Sequence, residues 1–361
     1  MTPYRTRLSS RFTPRIFAAL CLFLSLVCIP ARADVALLLE QPYGKLGIFN
    51  PAGHSAIYLD HVCAETPLVL RMCRAGELGV VLSRYDGIGT YDWVAMPLLP
   101  YLYSVDTADQ IPAFVTHQTE DDLRDAYRRK YLEAIAPDVA GGAAPGGNWY
   151  ELLGSSFDRT IYGFKVVTTR DQDEDLVALF NDRRNVERYN GAFINCADFA
   201  RVLINRYYPH AVRRNLIADF GITSPKSVAR SLAHYAAKHP ETHLKAFVIP
   251  QVKGDLPRSH PAACVSESLL KKYGLPMAVL SPEVTAAVFV AYVGQGRFAM
   301  PKDAPLLLNI SEMQMAEMKA AGSKALIPVT PLGVTTPAEL TPVAVPSTGG
   351  LLGWTELDPE P

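Results

Sequence analysis

A cysteine at the start of a helical stretch is the residue of this chain best placed to act as a nucleophile. Residues 189–209 read YNGAFINCADFARVLINRYYP, in which Asn195 is a good N-cap and Cys196 would be the first helical residue. A thiol there faces unpaired backbone N–H groups and the positive end of the helix dipole, which favour the thiolate. We therefore expect the pKa of Cys196 to lie below the usual value of about 8.5.

A nucleophilic cysteine needs an imidazole to accept its proton, and His54 is the best candidate. It lies in GHSAIYL, residues 53–59, where Gly53 precedes it and an apolar, strand-like run follows. A histidine at the start of a strand would be held by rigid backbone, while Gly53 leaves one side of the ring open. The histidine precedes the cysteine in the chain, which is the reverse of the usual papain order.

The stretches GHSAIYL and NCADFARVL, in that order, resemble the circularly permuted papain-like superfamily, which includes NlpC-type cell-wall peptidase relatives and lecithin:retinol acyltransferase-like proteins. The resemblance covers about residues 39–209. It implies an α+β fold in which an antiparallel sheet packs on helices, and in which a histidine-bearing strand and a cysteine-headed helix meet across a cleft. It also implies a thiol hydrolase or acyltransferase with Cys196 as nucleophile and His54 as base.

The third catalytic residue is left open by the sequence. The family places a polar residue that orients the imidazole on the strand after the histidine. Here that strand is VLRM, residues 69–72, and its arginine cannot accept the imidazole proton. The nearby substitutes are Glu65, Glu77, His61 and, as a minor candidate, Asp60.

The first 33 residues have the features of a secretory signal peptide. Arginines precede an apolar run at residues 16–29, and Ala31-Arg32-Ala33 forms an A-x-A cleavage site before Asp34. The apolar run is too short for a membrane anchor, which needs about 20 residues. We expect an exported protein, periplasmic or secreted, with no transmembrane span in the mature chain.

The charge balance narrows the class of partner. Removal of the five arginines in the signal segment leaves 30 basic and 36 acidic residues, a net charge of −6. This acidic balance argues against nucleic acid or an anionic membrane surface as the main partner. No phosphate loop or dinucleotide motif is visible, so no cofactor is implied. The expected partner is a peptide or lipid substrate of the cell envelope, and a protein partner is also possible.

Four cysteines remain in the exported chain, and their pairing decides whether Cys196 is free. Cys63 and Cys73 flank a turn and would be bridged if neighbouring strands bring them together. The competing pair, Cys196 with Cys264, would remove the nucleophile. Connectivity cannot be deduced from sequence, so both pairings stay open.

The remaining pattern predicts the organisation of the chain. Five strands, at residues 35–40, 54–59, 68–72, 79–84 and 91–96, are expected to form an antiparallel meander. The predicted units are a signal peptide (1–33), a papain-like domain (34–210) with a helical insertion (about 116–182) that forms a wall or lid, a C-terminal α/β extension (211–326) and a Pro-rich, disordered tail (327–361).

Two stretches have unusual composition. The aromatic side chains at residues 85–103 would line a substrate groove or pack in the core, and packing is favoured. The apolar segment 276–293 contains Pro282 and Glu283, which suits a buried strand or helix better than a membrane span.

Two other functions compete with the enzyme. The papain-like frame would serve as a non-catalytic binding module in an envelope assembly, an interpretation supported by the missing orienting residue. A structural metal site would use His61, Cys63 and Cys73, with His54 as a further ligand, although this spacing is not a standard zinc knuckle. Each residue taken alone is also compatible with a structural role, because cysteine and histidine are common in cores.

Overall fold

The computed structural model describes residues 32–44, 51–216, 219–294 and 298–301. Its strands are β1 (Arg32–Glu40), β2 (His54–Leu59), β3 (Val62–Thr66), β4 (Val69–Met72), β5 (Val80–Ser83), β6 (Val94–Pro97), β7 (Ile161–Thr169) and β8 (Lys245–Ile249). The α-helices of this described part are α1 (Leu98–Tyr103), α2 (His117–Tyr127), α3 (Ser155–Asp158), α4 (Arg170–Asp182), α5 (Cys196–Tyr207), α6 (Pro225–Lys238), α7 (Val265–Leu280) and α8 (Pro282–Gly294).

Six strands form one antiparallel sheet in the order β6-β5-β2-β1-β7-β8, and helices cover both of its faces. Central strand β1 is apolar almost throughout because alternate side chains enter different cores. Leu37 and Leu39 pack on the face covered by α4, α5 and α6, whereas Ala36 and Leu38 pack on the face covered by α1. The predicted antiparallel sheet packed on helices is confirmed.

The predicted meander is interrupted between its second and fourth strands. β3 and β4 leave the sheet as a separate two-stranded hairpin, and β5 pairs with β2 in their place. The Cys63–Cys73 disulfide joins the two strands of this hairpin, with Cα atoms 4.9 Å apart. Strand β3 was not predicted, because its short run VCAET lacks a continuous apolar pattern.

The segment predicted as a helical insertion also contributes to the central sheet. Residues 116–182 do contain α2, α3 and α4, but they also supply β7, which pairs with β1 along its whole length from Arg32↔Thr169 to Glu40↔Ile161. β8 then pairs with β7, so residues assigned to the C-terminal extension complete the same sheet. Strand partners so distant in sequence leave no local signal of their pairing.

Residues 276–293 form helices, as one of the two alternatives proposed, but they are not buried. Helices α7 and α8 make a hairpin whose large apolar side chains are mostly exposed. In the part of the chain that the structure describes, no helix has the length and apolarity needed to cross a membrane. The predicted tail, and the predicted signal segment up to residue 31, lie outside the described residues.

Candidate active site

Cys196 begins helix α5, as the sequence predicts. The Asn195 side chain accepts a hydrogen bond from the Asp198 N–H at 2.9 Å, which makes it the N-cap. Its amide group also donates to the carbonyl of Thr223, at the end of the loop before α6. Cys196 is buried and is not in a disulfide, because Cys63 and Cys73 bond to each other and Cys264 also keeps its thiol. The first turn of the helix is therefore rigidly held around an available sulfur.

His54 is the first residue of β2 and lies opposite Glu40 of β1. Its ring stacks on Tyr85, with centroids 3.9 Å apart and planes 8° from parallel. The Nε2 atom is buried and makes no hydrogen bond, to Cys196 or to any other described group, and the same is true of the Tyr85 hydroxyl. Buried polar atoms are rarely left unpaired, so these two groups are candidates for contact with a ligand.

The cysteine helix packs on the histidine strand through the residue next to His54. The backbone N–H groups of Ser55 and Ala197 act on the Cys196 sulfur and favour the thiolate. Strand alternation sends His54 to the sheet face that carries Ala56 and Glu40, and Ser55 to the face on which α5 packs. His54 and Cys196 thus lie on opposite faces of the sheet at the same end of β2, and the imidazole would have to reach the sulfur around the end of the strand.

None of the four residues predicted to orient the imidazole lies near it. Asp60 and His61 follow the opposite end of β2, about 20 Å away at the rise of an extended strand. His61 binds Asp60, and Glu65 and Glu77 both bind Arg71 on the β3–β4 hairpin. That hairpin adjoins the same distant end of β2. The candidate metal site fails for a related reason, because its two cysteine sulfurs are joined in the disulfide.

A buried ionic cluster that the sequence analysis missed lies beside His54. The Arg159 guanidinium pairs with Glu40, at 3.1 Å, and with Glu151. Glu40 also accepts a hydrogen bond from the Tyr101 hydroxyl. The signal in the sequence was a glutamate that ends the apolar run VALLLE, where a charge is unexpected unless it is paired. Among the aromatic residues expected to pack, Trp93, Tyr101 and Tyr103 are indeed buried.

The cluster acts electrostatically on both candidate residues. Burial raises the pKa of the Cys196 thiol, and the Glu40 carboxylate raises it further, against the lowering effect of the neighbouring N–H groups. Burial lowers the pKa of His54 well below its usual 6.5, and the Arg159 charge adds to this. The sequence predicted a lowered pKa for Cys196, and this prediction is wrong because burial outweighs the helix terminus. The resting site holds a neutral thiol and a neutral imidazole.

Gly53 fixes the entry of the chain into β2, so its replacement by alanine is expected to displace His54. Its φ is +77°, and a Cβ atom would lie 2.1 Å from the Glu40 carbonyl oxygen. We expect Gly53→Ala to lower the free energy of unfolding by about 3 kcal/mol, measured by urea titration. Gly191→Ala is the matched control, because a Cβ there meets no atom within 4 Å. Equal losses in the two variants would contradict this account of Gly53.

Glu40 is expected to make stability depend on pH. Burial, the largest cause, raises its pKa from 4.5 to about 7, against the lowering effect of Arg159. The folded state therefore holds this proton more tightly than the unfolded state, and stability is lost as the pH rises from 4.5 through 7. When the pH is raised from 5 to 8, the free energy of unfolding of Glu40→Gln, measured with urea, should rise by about 2.5 kcal/mol relative to that of the wild type. The control Glu174→Gln, at an exposed residue, should have the same stability as the wild type at both pH values. If the stability of Glu40→Gln changes with pH in the same way as that of the wild type, Glu40 is not the source of the pH dependence.

No protein-family model, curated protein or solved structure matches this chain. What the fold and the site define is an antiparallel sheet that carries a histidine at one strand end beside a helix headed by a free cysteine.

Proposed function

We propose that this protein is an exported thiol hydrolase or acyltransferase that acts on an amide or ester of the cell envelope. In this proposal Cys196 is the nucleophile and His54 the base, and the sheet with helix α5 is a permuted papain-like core. The observation that carries it is the orphaned, buried Nε2 of His54, next in sequence to Ser55, whose N–H acts on the Cys196 sulfur. An unpartnered imidazole nitrogen and a thiol, two groups of complementary chemistry, thus lie at the same end of β2.

The neutral state of the pair defines the chemical step. His54 accepts the thiol proton as the Cys196 sulfur attacks the acyl carbon, so that an S–C bond forms while the proton moves to the imidazole. Collapse of the tetrahedral intermediate breaks the amide or ester bond, and the imidazolium returns its proton to the departing amine or alcohol. Water or an acceptor alcohol or amine then attacks the thioester, and its proton passes through His54 back to the sulfur.

Backbone N–H groups at the start of α5 would stabilise the oxyanion of that intermediate. The first turn of a helix leaves its N–H groups without intrahelical partners, and Asn195 satisfies that of Asp198. The N–H groups of Ser55 and Ala197 already act on the sulfur and would favour the negative charge that develops close to it. No metal or cofactor is needed for these steps.

The proposal is tested by trapping the acyl-enzyme. The mature chain is incubated with p-nitrophenyl butyrate, and intact-mass and peptide-mapping measurements locate the butyryl group. We expect acylation at Cys196, its loss in Cys196→Ala, and its retention in Cys264→Ala, which removes the other buried cysteine outside the disulfide. Absence of an adduct on Cys196, or an undiminished adduct in Cys196→Ala, would exclude the cysteine mechanism.

A non-catalytic binding module is the second candidate, and one observation favours it. The Nε2 atom of His54 does not bond the thiol, and burial shifts the pKa values of both groups away from a thiolate–imidazolium pair. In that case the cleft would hold an envelope peptide or lipid without cleaving it. The acyl-enzyme experiment separates the two, because a binding module leaves Cys196 unmodified.

A further inference from the structure

The α7–α8 hairpin exposes an apolar surface that the rest of the described fold does not cover. Its most exposed side chains include Leu275 (80%), Val279 (76%), Leu280 (81%) and Val290 (67%). Between residues 273 and 294 the only charged side chain is Glu283. Monomeric soluble proteins rarely display contiguous apolar surfaces of this kind unless something binds there.

The distribution of apolar side chains on α8 identifies the kind of partner. Val288 and Ala291 are buried, whereas Phe289, Val290 and Val293 point in other directions and are exposed. The helix is thus apolar all round, with no polar face to present to water. A groove on a protein partner would cover one side of such a helix and leave its other sides exposed to water. The hydrocarbon region of a lipid bilayer can surround the helix.

Charged residues mark the two ends of the apolar surface. Lys271 and Lys272 precede it on α7, and Glu283 stands at the turn between the helices. Lys271 pairs with Glu267, and the Lys272 ammonium lies 5.4 Å from the centre of the Tyr273 ring. Lysine and tyrosine side chains are favoured where hydrocarbon meets lipid headgroups. A hairpin lying in the plane of the membrane keeps both charged ends at headgroup level.

The length of the helices agrees with shallow insertion. Helix α8 has 13 residues, which at 1.5 Å per residue rise about 20 Å, short of the hydrocarbon thickness of about 30 Å. Placing Glu283 in the middle of the bilayer would be strongly unfavourable, because a charged side chain is poorly tolerated in hydrocarbon. The hairpin therefore suits one leaflet and its interface.

We propose that the α7–α8 hairpin docks this protein on a phospholipid bilayer, with anionic headgroups at the Lys271 and Lys272 end. The base of the hairpin is fixed close to the candidate site. The Ala263 N–H donates to the Pro51 carbonyl, three residues before His54, at 3.0 Å. Docking would bring this rim of the site to the membrane surface. The proposal does not depend on the activity of Cys196.

Vesicle flotation of the full mature chain tests the docking. We use vesicles of phosphatidylcholine alone and vesicles with an equal part of phosphatidylglycerol. The chain should float with both, and about fivefold more tightly with the anionic vesicles at low salt. The double substitution Val279→Asp and Val290→Asp should weaken binding at least about tenfold. Both side chains are exposed, so the variant should fold, which its thermal unfolding curve checks.

Val186→Asp is the matched control, because Val186 is an exposed apolar residue outside the hairpin. It should bind vesicles like the wild type. The docking proposal is overturned if the wild-type chain stays unbound, or if the double variant floats equally well. A third outcome also overturns it: light scattering shows a dimer of the wild-type chain, the double variant is monomeric, and neither binds vesicles. The hairpin would then bind a second copy of the chain.

Discussion

Replacing His54 by alanine should slow the acylation of Cys196 by about 10²- to 10⁴-fold, the usual contribution of a general base. The reason is that burial raises the pKa of the thiol, so the sulfur needs a base to lose its proton near neutral pH. The measurement is the release of p-nitrophenolate in a single turnover. Added imidazole should restore part of the rate by occupying the space that the ring leaves.

The pH profile gives a second measure of the same role. Burial and Arg159 hold the pKa of His54 well below 6.5, so the ring stays neutral and able to accept a proton to lower pH than an ordinary histidine. The acid limb of the wild-type rate should therefore lie below pH 6.5. Iodoacetamide should alkylate resting Cys196 more slowly than an ordinary thiol near neutral pH, because little thiolate is present.

His234→Ala provides the control for this experiment. His234 is exposed on helix α6, and its removal should leave the acylation rate unchanged. A His54→Ala variant that is folded and acylates at the wild-type rate would show that His54 is not the base. Fast alkylation of Cys196 at acidic pH would instead show a preformed thiolate and contradict the neutral pair.

Arg159→Met should lower the free energy of unfolding by about 3–5 kcal/mol, the largest effect on stability that we expect from a single substitution in this cluster. Arg159 is buried, and it pairs with two buried carboxylates, Glu40 and Glu151. Removing the guanidinium leaves those carboxylates without their countercharge in a site that water does not reach. Urea unfolding at pH 8, where Glu40 is mostly ionised, is the measurement.

Two variants show whether the cause is electrostatic. Arg170→Met breaks the exposed Arg170–Glu174 pair of helix α4 and should cost less than about 0.5 kcal/mol. Adding Glu40→Gln and Glu151→Gln to Arg159→Met should recover part of the stability, because the stranded charges are removed. A loss of less than 1 kcal/mol in Arg159→Met, or no recovery in the triple variant, would argue that the cluster contributes only packing.

The local features of the site could be predicted because they depend on neighbouring residues. Asn195 caps the helix that begins at Cys196, since a capping bond spans only three residues. The apolar run after His54 formed a strand with the predicted limits. The nearby pair Cys63 and Cys73 is bonded, one of the two pairings that the sequence left open.

The surroundings of these residues were decided by the tertiary structure alone. The Arg159–Glu40 pair joins residues 119 positions apart, and it exists because β7 lies beside β1 at the centre of the sheet. No periodicity or motif in the sequence indicates that β7 pairs with β1. The candidates for orienting the imidazole were chosen by closeness in sequence. They lie at or beyond the end of β2 that is opposite His54.

The sequence by itself determined the local positions of the two candidate residues: a capped cysteine at a helix start and a histidine at a strand start. Only the tertiary structure decided their protonation, because desolvation depends on everything packed around a group and not on its neighbours in the chain. Burial at Cys196 exceeds the effect of the helix terminus, and burial at His54 combines with the charge of a distant arginine. The tertiary structure also left the α7–α8 hairpin exposed. An apolar segment in the sequence does not indicate which part of the fold, if any, packs against it.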